Sequence, residues 1–227
     1  MRIRIVSLLV LSLLIAGEVN LWGGLRFTEA DRRVFDSYRQ KIKRIKIGAS
    51  MEDARLQIGF PYLRQVTEPY KGHAVEVWSY PTDEFTLGQV AFIDGKLAKV
   101  LHTAAAGAIF VRGGSGLSPE DFTNVRRFDA ITYGMKATDV LALLGEPKEL
   151  YDERHPIPES AVRQLQPNLS PEDVAGFAKF MRESDIAIWA YRVADVAATI
   201  TFKDRVVMSV TEIVMPSEEQ ARLLRAQ

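Results

Sequence analysis

The sequence predicts an α+β fold: a tandem duplication of a two-layer module, helix on antiparallel sheet, preceded by an N-terminal signal or anchor helix. Three observations carry that expectation. Residues 45–61 (IKIGASMEDARLQIGFP) align without gaps on 131–147 (ITYGMKATDVLALLGEP), bringing Gly48 onto Gly134, Asp53 onto Asp139, Gly59 onto Gly145 and Pro61 onto Pro147. Further along, Trp78 and Tyr80 match Trp189 and Tyr191, and residues 90–100 (VAFIDGKLAKV) match 200–210 (ITFKDRVVMSV). Within each copy the hydrophobic period changes from helical spacing to the two-residue alternation of a half-buried strand. Each copy therefore reads as a helix followed by three or four antiparallel strands.

The N-terminus comes first. Arg2 and Arg4 precede an almost unbroken apolar run over residues 5–17, the basic-then-apolar order of an export signal. Val19, Leu21, Trp22 and Leu25 extend the run toward the length of a membrane span, and the small-x-small cleavage pattern is poor. Residues 1–25 are thus expected to be either a cleaved signal peptide or an uncleaved anchor. The chain is expected in the periplasm, free or held at the inner membrane by residues 5–25. The basic stretch 32–46 admits two readings, a flank retained in the cytoplasm or the solvated face of a helix.

The first repeat is assigned to residues 26–103. Thr28 caps a helix whose stripe is Phe35, Tyr38, Ile42 and Ile45. Ser50 and Asp53 then open a short helix with Met51, Ala54 and Ile58 at helical spacing. Gly59 suits a left-handed helix end and Pro61 prevents resumption. Val75, Val77 and Ser79 alternate with Glu76, Trp78 and Tyr80 as in a half-buried strand, and Asp94-Gly95 is a hairpin turn signal. A Gly-rich linker is placed at 104–117. The second repeat, 118–215, opens with Ser118-Pro119. Its cap position holds Lys136, so Thr138 is read as moving the helix start by two residues. It carries an insertion at 156–183 with four prolines and a helix capped by Ser170, whose amphipathic face is Val174, Phe177, Ala178 and Met181. That face packs on its own sheet or meets a partner. Residues 216–227 are read as a C-terminal helical tail.

Composition narrows the chemistry. Lys plus Arg and Asp plus Glu both number 29, so the formal charge is zero, which argues against a nucleic-acid partner. With no cysteine there is no disulfide, thiolate zinc site or cysteine nucleophile. The histidines His73, His102 and His155 lack ligand spacing, and Leu117 stands where a nucleophile elbow needs glycine. The carboxylate pairs Glu52-Asp53 and Asp83-Glu84 fall at a helix start and in a loop. The expectation is a protein that is not an enzyme, with no cofactor, no metal and no catalytic residue. Trp78, Tyr80, Trp189 and Tyr191 belong either to the core or to an exposed sheet surface. If exposed, they would dominate a protein interface, and with Phe177 and Met181 they are the candidate partner contacts. Gly48, Gly59, Pro61, Gly134, Gly145 and Pro147 are read as structural.

The repeat unit resembles the BamE-like (SmpA/OmlA) family and its structural relative, the β-lactamase inhibitor protein. The shared pattern is an isoleucine, Gly-Met before a capped helix, Leu-Leu-Gly-x-Pro, Trp-x-Tyr and a Phe-x-x-Gly hairpin. Ile131, Gly134-Met135, Leu143-Leu144-Gly145, Pro147, Trp189, Tyr191 and Phe202 match it. Ala49 and Ile58-Gly59-Phe60-Pro61 depart from it, and the chain lacks a lipobox cysteine. The resemblance implies a cell-envelope protein-interaction module, an accessory or scaffolding subunit of a membrane-associated complex with a protein partner. The alternative is a soluble periplasmic inhibitor or small-ligand binder using the cleft between the repeats.

Overall fold

In the computed structural model, which describes residues 29–83, 86–104, 119–152, 154–158 and 170–214, the first helix is α1 (Glu29–Arg44). Phe35 and Ile42, two turns apart, point inward, while Lys41, Lys43 and Arg44 crowd the last turn and oppose the helix dipole. Helix α2 (Met51–Ile58) starts at a capping box. The Ser50 hydroxyl accepts the Asp53 N–H at 3.1 Å, and the Asp53 carboxylate accepts the Ser50 N–H at 3.2 Å. Such a cap stabilises a helix by about 1 kcal/mol. The helix ends at Gly59, whose N–H reaches the Arg55 carbonyl at 2.9 Å. Its φ of 109° and ψ of −171° lie outside the left-handed helical well that the sequence suggested, in a region only glycine enters at low cost.

Strands β1 (Leu63–Tyr70), β2 (His73–Pro81), β3 (Thr86–Ile93) and β4 (Lys96–Ala104) follow as an antiparallel meander. Both tight turns, Lys71-Gly72 and Asp94-Gly95, hold positive φ at both residues, as two-residue hairpins require. Alternation sends Trp78, Tyr80, Val90, Phe92 and Leu97 to one face, where they form a single core with Ile42, Ile45, Ala54 and Ile58. Gly88 lets α1 come close. A Cβ there would lie 2.7 Å from Ile42 Cδ1 and 2.8 Å from Thr82 Cγ2.

Helix α3 (Pro119–Asp129) leads to α4 (Ala137–Leu144), the short strand β5 (Glu149–Tyr151) and α5 (Pro171–Glu183). Strands β6 (Ile186–Val193), β7 (Val196–Lys203) and β8 (Val206–Val214) complete the chain as described. Helix α4 begins at Ala137, not two residues later behind a cap at Thr138. Lys136 occupies the cap position with extended backbone and makes no side-chain cap bond. Gly145 (φ 77°, ψ −165°) ends it as Gly59 ends α2. Ser170 caps α5 through the Asp173 N–H at 3.1 Å.

The expected fold class needs correction. The eight strands form one antiparallel sheet in the order β4-β3-β2-β1-β8-β7-β6-β5, not a tandem duplication of two-layer helix-plus-sheet modules. The Val214 N–H at the end of β8 donates to the Tyr62 carbonyl just before β1 at 3.0 Å, which engages peptide groups that two separate sheets would leave at an edge. Sequence alternation reports the pleat of each strand and is silent on where one sheet stops. The chain packs as two compact units, one from the described residues within 21–116 plus Ile213 and Val214, the other from those within 117–212. The predicted segments 1–25 and 216–227 lie outside the described residues, as does the linker apart from Ala104. Among the described residues no helix is long and apolar enough to cross a membrane.

Candidate functional site

The aromatic residues singled out by sequence are mostly interior. Trp78 is 1% exposed, lies 4.8 Å from the Phe92 ring and under the Arg55 guanidinium, and donates its indole N–H to Glu76. Tyr80 is fully buried, with its hydroxyl on the Gly59 carbonyl at 3.1 Å, and burial pushes its phenol well above the ordinary value. Tyr191, 6% exposed, makes the corresponding bond to the Gly145 carbonyl at 3.1 Å. Its pKa is pushed up to about 12, by burial first and then by the Glu146 charge. These three side chains are core, and the expectation that they form a contact surface gives way to their burial. The hydroxyl-to-carbonyl bonds explain why the tyrosine recurs: Tyr80 and Tyr191 each fasten the end of a helix to a strand. Trp189 is half-buried, 4.5 Å from Phe202. Phe177 and Met181 belong to α5, but their side chains lie outside the described residues. Gly48 and Gly134, with φ of 89° and 83°, donate to the carbonyls of Leu97 and Val207, so they and the two helix-ending glycines act structurally.

Under the Trp78 side of the sheet sits a buried ion pair. Arg64, 1% exposed, presents Nε and Nη2 to the two carboxylate oxygens of Glu76, the second contact at 3.0 Å. Nothing in the sequence motifs marks this bidentate pair, because Arg64 and Glu76 become neighbours only through the β1–β2 register. The geometry is that of a satisfied internal charge.

At the surface, His73 Nδ1 lies 2.7 Å from Asp94, and the Ala74 N–H also donates to that carboxylate at 2.9 Å. The His73 hydrogen bond and the Ala74 N–H hold Asp94 below the usual carboxylate range. Asp53 is lowered likewise by the Ser50 hydroxyl and N–H, so the Glu52-Asp53 pair serves the cap. Glu84 of the other pair lies outside the described residues. Among the described residues no group of three or more His, Asp or Glu gathers as a metal site.

Among the described residues, the second face of the β1–β4 sheet carries an apolar feature that is partly open to solvent. It carries Leu63, Gln65, Val75, Val77, Ala91 and Ile93, of which Ile93 is 38% exposed and the others are half-buried. Cross-strand pairing places Val77 beside Ala91 and Val75 beside Ile93, an apolar strip, with the polar Gln65 beside Val77 at its β1 side. By contrast, β7 is buried along its length on both faces. The signal was present in β2, where Val75 and Val77 face away from the core yet are apolar, as Trp78 and Tyr80 facing it are.

No protein-family profile matches the chain, and no curated protein matches it. Among solved structures, a Streptococcus mutans protein provisionally named a beta-lactamase inhibitor protein is similar over 78% of this chain and 94% of its own, at 10% identity and a TM-score of 0.26. This is a weak structural neighbour. At that similarity it carries no argument about partner or activity. The BamE-like pattern has no counterpart in either sequence comparison.

Proposed function

We propose that this chain is a non-enzymatic protein-interaction module of the cell envelope, an accessory or scaffolding subunit that docks a protein partner on the second face of β1–β4. The observation that carries the reading is the apolar strip of Val75, Val77, Ala91 and Ile93 on the sheet face opposite the core, where Ile93 is exposed and the other three are half-buried. Contiguous apolar surface rimmed by polar groups is the usual mark of a protein contact. Gln65 and Gln89, both half-buried, flank the strip, and Gln89 donates to the hydroxyl of the buried Ser79 at 3.1 Å. Export and membrane attachment are supported by the basic start and the apolar run 5–17.

The test is a pull-down of the full chain from gently solubilised envelopes, with mass spectrometry of bait and companions. A stoichiometric protein companion is expected, and Val77→Arg should reduce its recovery by about tenfold or more, the loss of a central interface contact. Because Val77 points away from the core, the variant should keep the wild-type unfolding midpoint within a few degrees. Recovery unchanged in Val77→Arg, or a chain that comes out alone, would overturn the reading.

A further inference from the structure

Ladder register fixes which peptide groups of β4 face outward. Ala91 and Gln89 of β3 pair with Lys99 and Leu101, while the even-numbered residues of β3 and its turn address β2, as the Asp94 N–H to the Ala74 carbonyl illustrates. The outward peptide groups of β4 are therefore those of Leu97, Val100, His102 and Ala104. Leu97 is already engaged. Its N–H donates to the Ala49 carbonyl at 2.8 Å, and its carbonyl accepts the Gly48 N–H at 2.7 Å. Beyond it, β4 is the edge of the sheet, and no hydrogen bond from the described residues closes on the outward groups of Val100, His102 and Ala104. Such an edge is a template for one more strand.

Charge selects what that strand can be. Lys96 and Lys99 are exposed, and residues 96–104 contain no carboxylate. Lys46, also exposed, lies two residues before the Gly48 bond that covers the start of the edge. Asp53 answers Lys96 electrostatically, while Lys99 enters no ion pair among the described residues. Edge lysines repel a second copy of the same edge and discourage neutral strands, whereas an acidic strand meets them favourably. We propose that the outer edge of β4, from Val100 to Ala104, binds an extended acidic segment of a partner protein by strand addition. This site goes beyond the sheet-face reading and stands or falls separately from it.

The experiment uses the full chain, isotope-labelled, with two probes: a short alternating Glu–Val peptide and its Lys–Val counterpart. Amide exchange at Val100, His102 and Ala104 is followed by NMR. Exchange at these three amides should be fast in the chain alone and slow by about tenfold or more with the Glu–Val peptide at millimolar concentration, with no slowing by the Lys–Val peptide. Lys99→Glu should weaken the response to the Glu–Val peptide and create one to the Lys–Val peptide. His102→Pro blocks the outward N–H and spares the groups bonded to β3. It should abolish protection while the β2 and β3 amides remain as slow as in the wild type. If that variant loses the fold, Lys99→Glu still decides. Three results would overturn the proposal: amides already slow without peptide, equal protection by both peptides, or no protection by either.

Discussion

At Gly48 the N–H donates to Leu97 and at Gly134 to Val207; Tyr80 anchors the Gly59 carbonyl and Tyr191 the Gly145 carbonyl, both at 3.1 Å. Around these matching bonds the two regions diverge. The first has a capped helix, a buried Arg64–Glu76 pair under Trp78, and a second sheet face whose apolar residues are half-buried to exposed. The second has an uncapped helix and a half-buried Trp189, and its strand β7 is covered on both faces, with α5 packed against β6. The difference teaches that a local hydrogen-bond motif can be reused while cap, internal charge and solvent exposure are set independently by the residues around it.

Glu76→Ala should break this comparison most severely, because it leaves the buried Arg64 guanidinium without its bidentate partner and Trp78 without its acceptor. A loss of about 3 kcal/mol is expected, read as a fall in the denaturant midpoint. An effect below about 1 kcal/mol would show that the pair is not needed for stability. The two tyrosine anchors come next. Tyr80→Phe and Tyr191→Phe should each cost about 1–1.5 kcal/mol in the same assay, since each strands a helix-end carbonyl. Tyr80, the more deeply buried, should show the larger loss, and the reverse order would contradict the burial argument.

Exchanging caps sharpens the contrast at smaller scale. Ser50→Ala should destabilise by about 1 kcal/mol, and Lys136→Ser should stabilise by a few tenths up to about 1, since Lys136 already has the extended backbone of a cap. Thermal unfolding of both variants checks the pair of signs. Smallest is the pH effect. Asp53 and Asp94 have folded pKa values below the ordinary carboxylate value, so their stabilisation is present above about pH 4 and lost as pH falls through the depressed values. The unfolding midpoint should be lower at pH 3 than at pH 7, and Ser50→Ala, which removes the main cause for Asp53, should narrow that gap.

Much of the local structure was legible because it depends on neighbours in sequence. Ser50 with Asp53 spelled out a cap, Asp94-Gly95 a hairpin, and Trp78 with Tyr80 the inward face of β2. What sequence left open depends on distant pairing. Spacing could not say that β8 runs on to Tyr62 and joins all strands into one sheet, so two modules were expected where one sheet exists. For Trp78 and Tyr191 the sequence leaves surface and core open, with their recurrence in both copies favouring core, and the neighbouring elements cover both. Val75 and Val77, half-buried on the face opposite the core, pass as ordinary alternation because a strand with two apolar faces reads like one buried on both sides.

The Arg64–Glu76 pair bears also on how β1 finds its place. Sliding β1 by one residue against β2 would turn Gln65 toward the core, an error that the apolar pattern itself rejects. Sliding by two residues keeps every face correct, so alternation is blind to it. In the native register Arg64 stands opposite Trp78 and Glu76 opposite Val66, a diagonal that lets the guanidinium meet the carboxylate. A two-residue slip that sets Arg64 opposite Tyr80 carries it away from Glu76 and costs the pair, whereas the slip the other way sets Arg64 directly opposite Glu76 and keeps the two within reach. The ion pair thus adds a direction to strand alignment, disfavouring one of the two slips that hydrophobicity would let pass.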